Sequence, residues 1–423
     1  MSDLFDKCSS FTTAKEIQAL GFYPYFHKVE TGQDPVVTVE GKRMIMMGSN
    51  NYLGLTSHPV VKKAAINATE KFGVGCVGSR FLNGTLEMHE ELEAKLAGFV
   101  KKPSAILFTT GMQVNLGVIG SIVGREETIL ADKYDHASII DGCRLSYGKL
   151  RRFKHNDMED LERELKKCDP DKGKLIVVDG VFSMEGDLAD LPNIVKLAKK
   201  YKARVIVDDA HGIGVMGKNG RGTAEHFDVE DDVDLIIGTF SKAFASIGGF
   251  VAGDEEVIHY LKHNARALIF SASPTPSNVA SVIAAMNLIE KEPERRKSLW
   301  ENAEKLRKGF NEMGYDTGES VTPIIPLVIG DSMVAFQMWR LLFDRGIFTT
   351  PVVSPAVPEN RALIRVSVMA TFSQRHIDMA LEVFAEVGRI LGIIPGTPKE
   401  AGASPETMRK RVRNWMKNLW RLR

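Results

Sequence analysis

Two short apolar runs each end in side chains able to do chemistry. After Val205–Val207 come Asp208, Asp209 and His211, and after Leu235–Ile237 come Thr239, Ser241 and Lys242. Both runs have the length and content of buried strands. In an open α/β sheet, ligands bind outside the carboxyl ends of the strands. A carboxylate, an imidazole, two hydroxyls and a lysine therefore converge on one crevice. A lone lysine after a turn is usually a solvated side chain, and an acidic pair usually orders a loop. The combination at two strand ends argues against both readings here.

The set suits pyridoxal phosphate. A lysine amine bonds to the aldehyde, and an aspartate keeps the pyridine nitrogen protonated so that the ring accepts electrons. Lys242 is the candidate amine and Asp208 the candidate ring partner. His211, three residues on, is placed to reach the ring oxygen. Thr239 and Ser241 are small hydroxyl residues suited to the phosphate.

Three phrases in order, V-D-D-A-H (207–211), G-T-F-S-K-A (238–243) and G-G-F (248–250), resemble the α-oxoamine synthases. These are fold-type I pyridoxal-phosphate enzymes that condense an amino acid with an acyl-CoA and release carbon dioxide. The resemblance runs from about Phe22 to Leu391. It implies an α/β, aspartate-aminotransferase-like fold, with a mostly parallel central sheet, a small C-terminal α/β domain and a homodimer.

The resemblance also implies roles for further residues. Gly111 opens a helix after the apolar run Ala105–Phe108. Backbone N–H groups at a helix N-terminus suit a phosphate, so Gly111 and Met112 are expected to hold it through main-chain amides. His136 matches a histidine stacked on the cofactor ring and contacting the substrate carboxylate; the alternative is a helix-terminal histidine. Ser183 resembles a serine near the cofactor. Ser271 and Ser273 lie in a segment that crosses the dimer interface in the family, toward the facing subunit's phosphate. Asn51, in G-S-N-N-Y-L-G-L, is a candidate polar contact or an Asx-turn residue. Arg365 matches an arginine gripping the amino-acid carboxylate, since a planar guanidinium fits a carboxylate two-pronged; the alternative is a surface strand arginine. Some bacterial relatives carry a second arginine just before the proline loop, where this chain has Val353.

The substrates follow from finer likeness. S-R-F-L-N-G-T (79–85) and the proline loop S-P-A-V-P (354–358) resemble the members that join L-serine to palmitoyl-CoA. Those using glycine with acetyl-CoA, or alanine with pimeloyl-CoA, share the core phrases. A transaminase and a non-catalytic partner subunit are the readings from other classes; the lysine argues against the second.

Around this chemistry the chain is ordinary. It has 423 residues, 44% apolar and 26% charged, with a net charge of +1. That charge gives no global field for nucleic acid. Cys8, Cys76, Cys143 and Cys168 lack metal-ligand spacing, so no metal site and a reducing, cytoplasmic setting are expected. His89 reads as a helix-surface or subunit-contact residue. No secretory signal and no membrane-spanning run is expected. The expected organisation is an arm and hairpin (1–50), a large cofactor domain (51–290), a small domain (291–395) and a basic tail (396–423). The tail holds eight Lys/Arg and two Glu. Its helical spacing of Met408, Val412, Trp415, Met416 and Leu419 suits an amphipathic helix at an anionic membrane surface through 406–423.

Overall fold

The computed structural model describes residues 3–396. The proposed membrane-contacting stretch 406–423 lies outside them. The chain divides into two compact units.

The larger unit comprises Asn50–Trp300 with Met369–Thr371. Its seven-stranded sheet runs, edge to edge, Ser104–Phe108, Gly249–Gly253, Leu235–Thr239, Arg204–Asp208, Lys174–Asp179, Thr128–Asp132, Lys149–Phe153. The strands are parallel except Gly249–Gly253, which is antiparallel to both neighbours. The middle strands are buried along their length, which is why they read as continuous apolar runs rather than alternating ones. Strand succession reverses between Thr128–Asp132 and Lys174–Asp179, because the first connects on to 149–153 and the second to 204–208. That reversal opens a crevice at the carboxyl ends.

The helices follow local rules. Leu191–Tyr201 starts where Asp190 accepts the Asn193 N–H, has proline in its first turn, and buries Leu191, Ile194, Val195 and Ala198 along one face. Each large apolar side chain so buried contributes about 1.5–3 kcal/mol. Helices Gly111–Ile122 and Ala137–Leu145 approach closely at Gly142, where a Cβ would stand 2.7 Å from the Asn115 carbonyl.

Among the described residues, the smaller unit comprises 3–49, Glu301–Val368 and 372–396. The strands Val36–Val39 and Lys42–Met46 form the expected hairpin. Glu40 and Gly41 both have positive φ, 49° and 76°, as a two-residue type I′ turn requires. A second sheet pairs Ala362–Ser367 antiparallel with Ile324–Gly330 and Thr350–Val352. The sequence suggests one strand over Ile347–Thr350. Instead Ile347–Phe348 joins Ile45 and Met46, and Thr350–Val352 joins the other sheet. Pro351 lacks an N–H and sits on that sheet's edge strand, where none is needed.

His89 is not on a surface. It is fully buried inside helix Glu87–Phe99, where Nδ1 accepts the Leu86 N–H and Nε2 pairs with the Pro274 carbonyl. Burial holds its pKa below the ordinary value, so the ring is neutral near pH 7.

Candidate active site

The strand ends of the larger unit surround a cavity of about 340 Å³. Lys242 reaches it from the loop after Leu235–Thr239. That loop is tight: Phe240 N–H donates to Gly248 O, Ser246 N–H to Phe240 O and Ala245 N–H to Lys242 O. Ala245 is left-handed, at φ 56°, a conformation that costs a non-glycine residue energy. The loop geometry thus fixes where the Lys242 stem leaves the backbone.

Asp208 ends its strand in the cavity wall and is buried. Its Oδ2 accepts from Asn115 Nδ2 at 2.6 Å and its Oδ1 from Ala210 N–H at 3.1 Å. Both donors point at the carboxylate oxygens. Asn115 also donates to Ser138 Oγ at 2.9 Å. Ser138 in turn lies 2.7 Å from His136 Nδ1, which also accepts the Ser138 N–H. With Nδ1 accepting, the His136 proton sits on Nε2. Burial lowers its pKa, with Lys242 adding to the effect and Asp208 opposing it. His136 is therefore a neutral ring. It is also the N-cap of Ala137–Leu145, so the helix-terminal placement and the cavity placement coexist.

Beneath His136, Asp179 Oδ2 accepts the His136 N–H at 2.7 Å. Burial, then the nearby Asp208 charge, raises the Asp179 pKa well above the carboxylate range. His211 lines the same cavity, with Nδ1 at 2.7 Å from Tyr52 Oη.

At another part of the wall, Gly111 opens a twelve-residue helix capped by Thr110, whose Oγ1 accepts the Gln113 N–H. The Gly111 and Met112 amides precede the first intrahelical bond. Thr239 Oγ1 and Ser241 Oγ lie 3.0 Å apart in the same wall. A Cβ at Gly111 would come within 2.7 Å of Thr239 Oγ1, so only glycine leaves this cradle open.

Of the sequence candidates, Gly111, Met112, His136, Ser183, Asp208, His211, Thr239, Ser241 and Lys242 all line the cavity. Four others have different surroundings within their units. Asn51 Nδ2 donates to Thr56 Oγ1 and its Oδ1 accepts the Leu55 N–H, the geometry of an Asx-type turn. Ser271 Oγ accepts from Gln113 Nε2, and Ser273 Oγ donates to the Gly84 carbonyl. Arg365 belongs to the smaller unit, on Ala362–Ser367, where Nη1 donates to Ser367 Oγ at 2.6 Å. Asn115, Asp179 and Tyr52 carry much of the network without having been singled out. Tyr52 follows Asn51 directly, but its partner is 159 residues away.

A larger groove of about 990 Å³ lies around residues 120–127. It has no lysine–carboxylate–imidazole convergence, and the smaller cavity is the chemical one. Among the described residues no group of three or more His, Cys, Asp or Glu side chains is arranged to hold a metal ion, and no helix is long and apolar enough to cross a membrane.

A buried carboxylate bonded by two N–H donors, a helix N-terminal cradle with two hydroxyls, and a lysine between strand ends define a fold-type I pyridoxal-phosphate site. Residues 42–384 match the family model for aminotransferase class I and II, and the chain belongs to that family, in its α-oxoamine synthase branch. Its cofactor is pyridoxal phosphate. The chain is 50% identical over 384 residues to serine palmitoyltransferase of Sphingobacterium spiritivorum, covering 91% of this chain and 96% of the relative. It is 44% identical over 395 residues to 8-amino-7-oxononanoate synthase of Thermoanaerobacter pseudethanolicus, covering 93% and 100%. A solved serine palmitoyltransferase variant from S. paucimobilis, with a bound PLP–myriocin aldimine, matches with a TM-score of 0.90 at 36% identity, covering 93% and 100%.

Proposed function

We infer that the chain condenses L-serine with palmitoyl-CoA, releasing CoA and carbon dioxide and giving 3-ketodihydrosphingosine. The observation that carries the chemistry is the convergence of Lys242, Asp208 and the Gly111 cradle on one cavity. The choice of substrates rests on the 50% identical relative.

When bound, pyridoxal phosphate supplies an aldehyde for an amino group and a ring that accepts the electron pair left by a departing proton or carboxylate. Asp208, bonded by Asn115 and Ala210, would face the ring nitrogen and favour its protonated form. The Gly111 and Met112 amides, Thr239 and Ser241 hold the phosphate, and Ser183 borders the cofactor. Lys242 would hold the aldehyde at rest and supply the general base for the serine α-proton. Neutral His136, in the cavity wall, would stack on the bound ring and contact the substrate carboxylate. His211, oriented by Tyr52, would meet the ring oxygen. Arg365 grips the carboxylate two-pronged until it leaves as carbon dioxide. Asn51 supports the adjacent loop.

The same reading makes the protein a cytoplasmic homodimer, with Ser271 and Ser273 directed to the facing subunit and 406–423 touching an anionic membrane. Light scattering tests the dimer. Liposome sedimentation with and without 397–423 tests the membrane contact, and equal binding by both forms removes it.

The reaction itself is tested by absorbance titration with serine, glycine and alanine, followed by CoA release from palmitoyl-, acetyl- and pimeloyl-CoA. Serine with palmitoyl-CoA is expected to give the highest turnover. Alanine with pimeloyl-CoA winning would make the chain an 8-amino-7-oxononanoate synthase, the activity named for the 44% identical relative. Absence of CoA release with every pair would rule out the condensation.

A further inference from the structure

The crevice between Thr128–Asp132 and Lys174–Asp179 is bordered by two loops. One, 133–136, delivers His136; the other, 180–190, delivers Ser183. Behind both sits His155, just past the edge strand Lys149–Phe153. Its Nδ1 is 3.0 Å from Asp132 Oδ1, where the first loop begins. Its Nε2 is 2.9 Å from Asp187 Oδ2, in the second loop. The ring stacks on Tyr134 at 4.4 Å, nearly parallel, and meets the edge of Phe182 at 4.4 Å. Tyr134 and Phe182 are sequence neighbours, within two residues, of His136 and Ser183.

We propose that His155 is a positioning residue, a cationic rivet that sets the spacing of the two cofactor-bordering loops by holding one carboxylate from each. The inference rests on the pyridoxal-phosphate reading above.

Three observations support it. Both ring nitrogens face carboxylate oxygens, and a ring that donates at both nitrogens is an imidazolium. The surroundings need a cation: Asp132, fully buried, and Asp187 face the ring directly; Asp135, which accepts the Asp132 N–H, and Asp179, whose N–H bonds Asp135 in turn, have their pKa values raised well above the carboxylate range by burial and add no opposing demand. Tyr134 is the remaining titratable neighbour. Burial works against the charge, but the bonds to Asp132 and Asp187 outweigh it and push the His155 pKa up to about 9. Asn156 repeats the clamp. Its N–H donates to Asp132 Oδ2 and its Nδ2 to Asp187 Oδ2 and the Leu188 carbonyl. It does so from a left-handed backbone, at φ 49°.

The sign follows from the raised pKa. The contribution of the cation is complete below the ordinary histidine value and is lost as pH rises through about 9. Loss of the proton leaves one carboxylate facing a lone pair, and the loops separate.

The test uses apo-protein prepared from the full chain. Pyridoxal-phosphate affinity is measured by fluorescence for wild type, His155→Gln and Asp187→Asn, at pH 7.5 and across pH 7 to 10. Misplacement of site groups costs up to about 100-fold; His155→Gln is expected to weaken binding at least tenfold at pH 7.5 and to remove the step near pH 9. The Lys242 titration is common to all three proteins and cancels in the comparison. Selective histidine Cε1 NMR, with the His155 signal assigned by its loss in His155→Gln, is expected to show a protonated ring at pH 7.5. If His155→Gln does not fold, Asp187→Asn, which leaves the buried Asp132 contact in place, carries the affinity comparison and wild-type NMR the charge. Affinities within twofold of wild type, or a His155 signal titrating at or below pH 7, would overturn the rivet. Failure of the wild type to bind pyridoxal phosphate would instead overturn the reading beneath it.

Discussion

Asn115→Leu is the substitution that most directly tests how the site holds its charge. Asn115 is 1% exposed, and its Nδ2 lies 2.6 Å from Asp208 Oδ2. Leucine keeps the branching at Cγ without a donor, so the bond to Asp208 is lost and no cavity is left. A hydrogen bond to a charged group contributes about 1.5–3 kcal/mol. At 1.4 kcal/mol per decade, that is roughly a 10- to 150-fold weaker grip on a cofactor that needs Asp208 ionised. Fluorescence titration of apo-protein with pyridoxal phosphate reads this directly, and CoA release reads its effect on turnover. Asn115 also holds Ser138 at 2.9 Å, so Ser138→Ala serves as control and should cost less. Pairing Asn115→Leu with Asp208→Asn should reveal a coupling of about 1 kcal/mol or more, because the two groups share one bond. Cofactor affinity within twofold of wild type in Asn115→Leu, or strict additivity in the double variant, would refute the reasoning.

Lys242→Ala should abolish CoA release and borohydride labelling of the holo-protein; residual turnover contradicts its role. Gly111→Ala places a methyl 2.7 Å from Thr239 Oγ1, and should lower cofactor affinity while the melting temperature stays close to wild type. Equal affinity would remove the cradle. Arg365→Lys keeps the charge but loses the two-pronged fit; KM for serine should rise while cofactor affinity is unchanged, and an unaltered KM counts against the carboxylate contact. Burial raises the Asp209 pKa to about 7, against the Thr223 N–H bond that lowers it. Between the ordinary carboxylate value and 7, the folded chain holds a proton that the unfolded chain has released, so rising pH erodes stability there. Asp209→Asn has no such proton, and its melting temperature relative to wild type should climb from pH 5 to pH 8. A constant difference would show that Asp209 is not protonated in the fold.

The elements were largely legible because their causes are local. Leu191–Tyr201 announces itself by apolar spacing and a proline in its first turn. The hairpin at Glu40-Gly41 follows from two alternating strands and a turn that tolerates positive φ. Where the cause was not local, the reading differed. Ile347–Thr350 looks like one strand, but backbone partners in two sheets divide it. His89 looks like a surface residue among glutamates, yet the Pro274 carbonyl, 185 residues away, completes its buried capping role.

The sequence by itself determined the reaction class. Strand-end residues must meet at one crevice wherever a parallel sheet forms, so Asp208, His211, Thr239, Ser241 and Lys242 could be grouped from order alone. Only the tertiary structure decided what tunes them. Asn115 reaches Asp208 across 93 residues, Tyr52 reaches His211 across 159, and His155 bridges Asp132 and Asp187 from a third element. No spacing in one dimension encodes such contacts. They depend on how closely Gly142 lets two helices approach and on where the strand order reverses, and both are properties of the packed sheet.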